Sequence, residues 1–157
     1  MKKSFHPVFQ KVLAAVDASE RAPAVFELAV DMARMSGARL YVVRVITIPP
    51  EFPAAAAGSP ADPLVTRTTA GAVQDLSRLI AGAPDGVSIE PPIVRIGVPW
   101  KAILDTADER DVDLIVIGSH GYEGWDHILG TTAGKVANTA SRNVLVAHGR
   151  PPAAAVG

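Results

Sequence analysis

The chain has 157 residues, 48% of them hydrophobic, which suits one globular domain burying about 70% of the surface its unfolded chain exposes and leaves no room for a second. Fifteen basic residues against 16 acidic ones give a net charge of -1, and no run of Lys or Arg interleaved with aromatics occurs, so no nucleic-acid partner is expected. Cysteine is absent, which excludes disulfide frameworks, thiolate zinc sites and cysteine nucleophiles and suits a reducing compartment, with the cytoplasm as the expected location.

The opening Met1-Lys2-Lys3-Ser4-Phe5-His6-Pro7 imitates the basic head of a signal peptide, but Pro7, Gln10 and Lys11 leave no apolar stretch of useful length after it. Nothing further along approaches ~18 uninterrupted apolar residues, so no membrane span is expected. Val12 to Val16 is the first predicted strand, followed by helical spacing from Glu20 to Ser36, with Ser19 as its expected cap and Gly37 as its stop. Leu40 to Ile46 reads as the second strand, with Arg44 the odd charge in an apolar run, expected to snorkel or to pair with a carboxylate near the strand end. Residues 47–63 hold five prolines and four consecutive alanines, which predicts a long mobile loop.

A second helix is predicted from Leu64 to Ala81, a third strand from Val87 to Ile96, and a third helix from Pro99 to Arg110, opened by its proline. Leu114 to Ile117, a helix from Thr131 to Ser141, and Val144 to Ala147 complete the order, and residues 150–157 are expected to fray. Near-continuous apolar strands alternating with amphipathic helices require right-handed crossovers and hence a parallel sheet covered on both faces. The expected architecture is one α/β domain over residues 1–157, doubly wound, with its core at about 9–148.

In such sheets ligands sit beyond the carboxyl ends of the strands, where the winding reverses. Two segments fall at such ends. Asp17 closes the first strand, where it can accept hydrogen bonds from a ribose or a base amine, a turn or capping aspartate being the alternative. The second segment is Ile117-Gly118-Ser119-His120-Gly121 and its continuation to Gly130-Thr131-Thr132. Its glycines let a phosphate approach backbone N–H groups, and the following helix start offers free N–H groups, a positive dipole end and two hydroxyls, a turn-rich loop with an ordinary threonine cap being the alternative.

Better-known phosphate motifs fail. Gly130 to Val136 has three residues between its glycines where a Walker A loop has four, and Val136 stands where Ser or Thr would hold magnesium. Gly118 to Gly124 has two residues in both gaps and follows a late strand, unlike a dinucleotide fingerprint. Ser119 and His120 are adjacent, a poor arrangement for a nucleophile and its base, and His120, Asp126 and His127 match no common metal-ligand spacing. No catalytic residue and no metal ligand is therefore assigned, and His120 is expected to line or rim the pocket.

On these residues the chain resembles the ATP-binding universal stress proteins over about residues 9 to 148. The family signature, Gly-x2-Gly, usually nine residues, then Gly with Ser or Thr, is similar to Gly118-Ser119-His120-Gly121 leading to Gly130-Thr131. Supporting matches are Val16-Asp17 with Ser19, Arg44-Val45-Ile46, Gly97-Val98-Pro99, Val112 to Ile117 and Asn143-Val144-Leu145-Val146. The resemblance implies a five-stranded sheet in the order 3-2-1-4-5, of the adenine-nucleotide alpha-hydrolase-like type, which places Asp17 and Gly118 on opposite sides of one crevice.

It also implies the roles. Ala15, Val16 and Asp17 would meet base and ribose, Val45 would border the adenine, and Ile117 with Gly118 would face the sugar. Gly121, Gly130, Thr131 and Thr132 would hold the phosphates. Tyr122 to Leu129 is eight residues, one shorter than the commonest family spacing, so AMP, ADP or a signalling nucleotide stands beside ATP among the expected ligands, with Mg or Mn as candidate counterions of the phosphates. A homodimer through the last strand, Val144, Leu145, Val146 and Ala147, is implied by the family and favoured by that apolar edge. The implied function is a stress-response or signalling module that binds a nucleotide and hydrolyses it slowly or not at all. Alternatives are an interaction protein of the same fold with no nucleotide, and an enzyme using His120 as acid or base on a phosphorylated metabolite.

Overall fold

The structure is a computed structural model that describes residues 7–47, 63–119 and 130–148. Its elements run β1 (Lys11–Ala15), α1 (Ala22–Ser36), β2 (Arg39–Ile46), α2 (Pro63–Ala81), β3 (Ser88–Ile89), β4 (Ile93–Ile96), α3 (Pro99–Arg110), β5 (Leu114–Gly118), α4 (Thr131–Thr139) and β6 (Asn143–Ala147). The expected mobile loop lies outside the described residues apart from its ends, Thr47 and Pro63, and so does the tail from 150.

All strand pairs are parallel. β1 lies at the centre, with Leu13 opposite Tyr41 of β2 on one side and Ile115 of β5 on the other, and β6 extends the sheet beyond β5. The order is β3-β2-β1-β5-β6, with β4 also pairing β2. One expectation is corrected here: the predicted third strand, Val87 to Ile96, is two strands, so the sheet has six strands among the described residues rather than five. Pro91 and Pro92 fall between the two pieces and have no N–H to give to the ladder, so pairing with β2 stops at Glu90, whose N–H donates to the Leu40 carbonyl at 2.9 Å, and resumes at Ile93 opposite Val43. β3 and β4 share the third position, and the winding of the chain is otherwise the expected one.

The period-two alternation of β1 divides the core. Val12, Ala14 and Val16 pack with α1 and with Leu76 of α2 on one face, while Leu13 and Ala15 pack with Ile103 and Ala107 of α3 and Val136 of α4 on the other. In α1 the buried residues Ala22, Val25, Phe26, Ala29, Val30 and Ala33 recur at helical spacing and form one stripe. The helix stops where expected. Gly37 adopts φ 65° and donates to the Arg34 carbonyl, while the Ala38 N–H reaches the Ala33 carbonyl at 2.8 Å.

The expected Ser19 cap is not formed. Arg21 holds the N-cap position without a side-chain bond to the helix, and Pro23 in the first turn needs no donor partner. The Ser19 hydroxyl instead accepts from the Arg21 N–H at 3.2 Å, its own N–H donates to Asp17, and its carbonyl accepts the Ala22 N–H at 3.1 Å. The last helix ends at Thr139, two residues before the expected Ser141. Among the described residues no helix is long and apolar enough to cross a membrane.

Candidate functional site

β1 is followed by β2 on one side, and the chain later returns to its other side as β5, so winding reverses between β1 and β5. A cavity of about 300 Å³ opens at their carboxyl ends. Ala15, Val16 and Asp17 reach it from β1, Val43, Val45 and Thr47 from β2, and Ile117 and Gly118 from β5. Pro99 and Ile103 of α3 close one wall, and Thr131, Thr132 and Ala133 bring the start of α4 to the rim. Most of the lining is aliphatic, with Asp17, Arg21, Thr47, Thr131 and Thr132 as its polar members, the mixture typical of small-molecule sites.

Each tip is held by main-chain bonds. The Val16 N–H donates to the Val43 carbonyl at 3.0 Å, extending the β1–β2 ladder one step past the strand, and the Ser119 N–H donates to the Ala147 carbonyl at 2.9 Å. The Asp17 carboxylate accepts the Ser19 N–H at 2.9 Å, an Asx turn that fixes the acid at the cleft wall. Beneath that turn, Arg44 donates from one Nη to the Asp17 carbonyl at 3.0 Å and from the other to Asp75 of α2 at 3.2 Å. The expectation that Arg44 pairs with a carboxylate is met. Its Nε is buried with no hydrogen-bond partner among the described residues, the cost of running a guanidinium through this wall.

Gly118 sits at a close approach to α1. A Cβ added there would stand 3.0 Å from Val25 Cγ2, so the Val25 side chain would have to give by a few tenths of an ångström.

Of the residues singled out from sequence, Ala15, Val16, Asp17, Val45, Ile117, Gly118, Thr131 and Thr132 come together around this one cavity. Gly130 is the N-cap of α4, beside the cavity and not among its lining residues. His120 and Gly121 lie outside the described residues. Sequence reasoning missed Arg21, Val25, Thr47 and Ile103. The helical spacing marks Val25 and Ile103 as inward-facing but gives no sign that they reach a cavity, and Arg21 carries no signal beyond a charge beside a helix start.

The sequence pattern of the universal stress protein family matches residues 9–148. This chain belongs to that family. Universal stress protein A homolog 1 of Coxiella burnetii is 28% identical over 139 residues, covering 87% of this chain and 94% of the relative. Among solved structures, the universal stress protein UspA from Lactobacillus plantarum is 25% identical with a TM-score of 0.68, covering 87% of this chain and 96% of that one. The universal stress protein from Archaeoglobus fulgidus in complex with dAMP is 25% identical with a TM-score of 0.55, over 89% of this chain and 98% of that one. The resemblance stated on Gly118, Gly130 and the strand-end residues is thus a family membership, and the cleft of this universal stress protein sits at the switch point that its doubly wound sheet dictates.

Proposed function

We propose that this universal stress protein binds an adenine nucleotide, ATP or its mono- or diphosphate, in the cleft between the tips of β1 and β5, and acts as a nucleotide-dependent stress-response or signalling module. The observation that carries the reading is the cleft itself: aliphatic lining from Val16, Val45, Ile103 and Ile117, joined by Asp17 and by Thr131 and Thr132 at the start of α4. An adenine ring fits between such walls, a ribose can meet Asp17, and phosphates favour Thr131 and Thr132 at a helix start. The dAMP complex of the Archaeoglobus relative supports the same ligand class.

The residues present fit that group. ATP, when bound, supplies a charge-rich chain that the protein can sense, and the chain's own part is to hold the base out of water, orient the sugar and meet the phosphates with fixed donors. A homodimer through β6 completes the proposal. β6 pairs β5 on one side, and its partly buried Val144, Leu145 and Val146 leave an edge that a second copy would cover. The location that goes with these roles is the cytoplasm.

The test is to denature freshly purified protein, identify released nucleotide by mass spectrometry, and titrate ATP into stripped protein. Co-purified adenine nucleotide with saturable binding is expected. Absence of both would refute the proposal.

A further inference from the structure

Arg21 stands in the turn between β1 and α1, and its side chain lines the same cleft as Thr131 and Thr132. One Nη of Arg21 donates to the carbonyl oxygen of Ser119, just beyond β5, at 3.0 Å. That bond crosses from one side of the switch point to the other. Its acceptor is neutral, so the charge of the guanidinium is not offset by it.

Arg34, Arg39, Arg44, Arg78, Arg95 and Arg142 each pair with a carboxylate, whereas Arg21, like Arg67 and Arg110, forms no ion pair with any described residue, and of these three Arg21 alone lines the cavity. Asp17, the acid of the cleft lining, turns to the Ser19 N–H, and no ion pair joins it to Arg21. Among the described residues Arg21 is also the one cationic side chain lining the cavity. A guanidinium has five N–H donors in a planar fork, and Ser119 takes one of them. The remaining donors suit two phosphate oxygens at once.

The geometry points to Arg21 as a ligand-contacting residue that sets the preference of this cleft for phosphorylated over uncharged adenine compounds. The assignment rests on the nucleotide reading above and adds a cation that no sequence motif marks. The bond to Ser119 holds the guanidinium at the rim, and a phosphate completes its coordination there.

The experiment is titration of adenosine, AMP and ATP into the wild-type chain, Arg21→Gln and Arg21→Lys, each at two salt concentrations. Gln keeps a donor for the Ser119 carbonyl and removes the charge, which separates holding the strand end from meeting the ligand. In Arg21→Gln, ATP affinity is expected to fall roughly tenfold or more and its salt dependence to flatten, while adenosine affinity moves by about twofold or less. Arg21→Lys, which keeps the charge without the fork, should fall between the two. Equal losses for adenosine and ATP would overturn the assignment and make Arg21 a latch for Ser119, and so would ATP binding that is unchanged in Arg21→Gln. Wild-type protein that binds none of the three ligands would overturn the nucleotide reading itself, a result distinct from both.

Discussion

The two ends of the sheet carry hollows of similar size and opposite chemistry. Beyond the carboxyl ends lies the cleft of about 300 Å³, and at the amino ends lies one of about 330 Å³ bordered by Gln10, Lys11, Asp111, Asp113, Arg142 and Asn143. At the amino end the polar groups are spent on one another. Arg142 bridges Asp108 at 2.9 Å and Asp111 at 3.4 Å and also donates to the Val112 carbonyl. The Asp113 carboxylate accepts the N–H groups of Gln10 and Lys11, and Asn143 donates to the Asp113 carbonyl. Hydrogen bonding to Asp108, aided by Asp111 and opposed by partial desolvation, holds the Arg142 guanidinium above its ordinary pKa. Volume therefore does not distinguish a site from a structural knot. What distinguishes them is whether the polar groups satisfy one another, as around Arg142, or stand at the rim of an apolar pocket, as at Arg21, Thr131 and Thr132.

Substitutions that act on one end and spare the other test this contrast. The largest effect is expected from Val45→Trp, which puts an indole into the cleft from an already half-exposed position. Adenine-nucleotide affinity should fall roughly a hundredfold or more by calorimetry. The urea midpoint should change little, and retained affinity would remove Val45 from the site. Next comes Arg142→Ala at the amino end, expected to cost about 1–3 kcal/mol in urea unfolding because it leaves the Val112 carbonyl and two carboxylates without their donor. Nucleotide affinity should stay within about twofold, and a large loss would couple the two ends.

Arg44→Met should show in both measurements, since it removes the donor to the Asp17 carbonyl and leaves Asp75 with Arg78 alone, while keeping an apolar stem. A stability loss of about 1–2 kcal/mol with roughly fivefold weaker nucleotide binding is expected. The smallest change in stability belongs to Asp17→Asn, whose amide oxygen can still accept the Ser19 N–H. Unfolding should shift by about 0.5 kcal/mol or less, with affinity falling roughly three- to tenfold by loss of a charged acceptor at the ribose.

Much of the carboxyl end was legible in the sequence because strand tips are. An apolar run closed by Asp17, and another closed by Gly118 with threonines at the next helix start, are local patterns that survive without tertiary information. The break at Pro91-Pro92 was hidden by the β-branched residues on either side, which read as one strand although two consecutive prolines lack the donors a continuous ladder needs. Val25 and Ile103 were visible as members of helical stripes, but only the packing of α1 and α3 over the ends of β1 and β5 decides that these residues meet a cavity. The amino-end network was invisible for a related reason. Arg142 and Asp108 lie 34 positions apart, and neither belongs to a pattern that names the other. Arg21 gave no signal because its importance rests on having a neutral partner, which is a property of the folded chain.

The central claim is that the carboxyl-end cleft, and not the similarly sized amino-end hollow, receives an adenine nucleotide. Titration of ATP into isotope-labelled protein, followed by amide NMR shifts, addresses it directly. The prediction is saturable shifts at Val16, Asp17, Gly118, Thr131 and Thr132 with Asp111, Asp113 and Asn143 unmoved. Shifts confined to the amino-end residues, or none at saturating ATP, would contradict it.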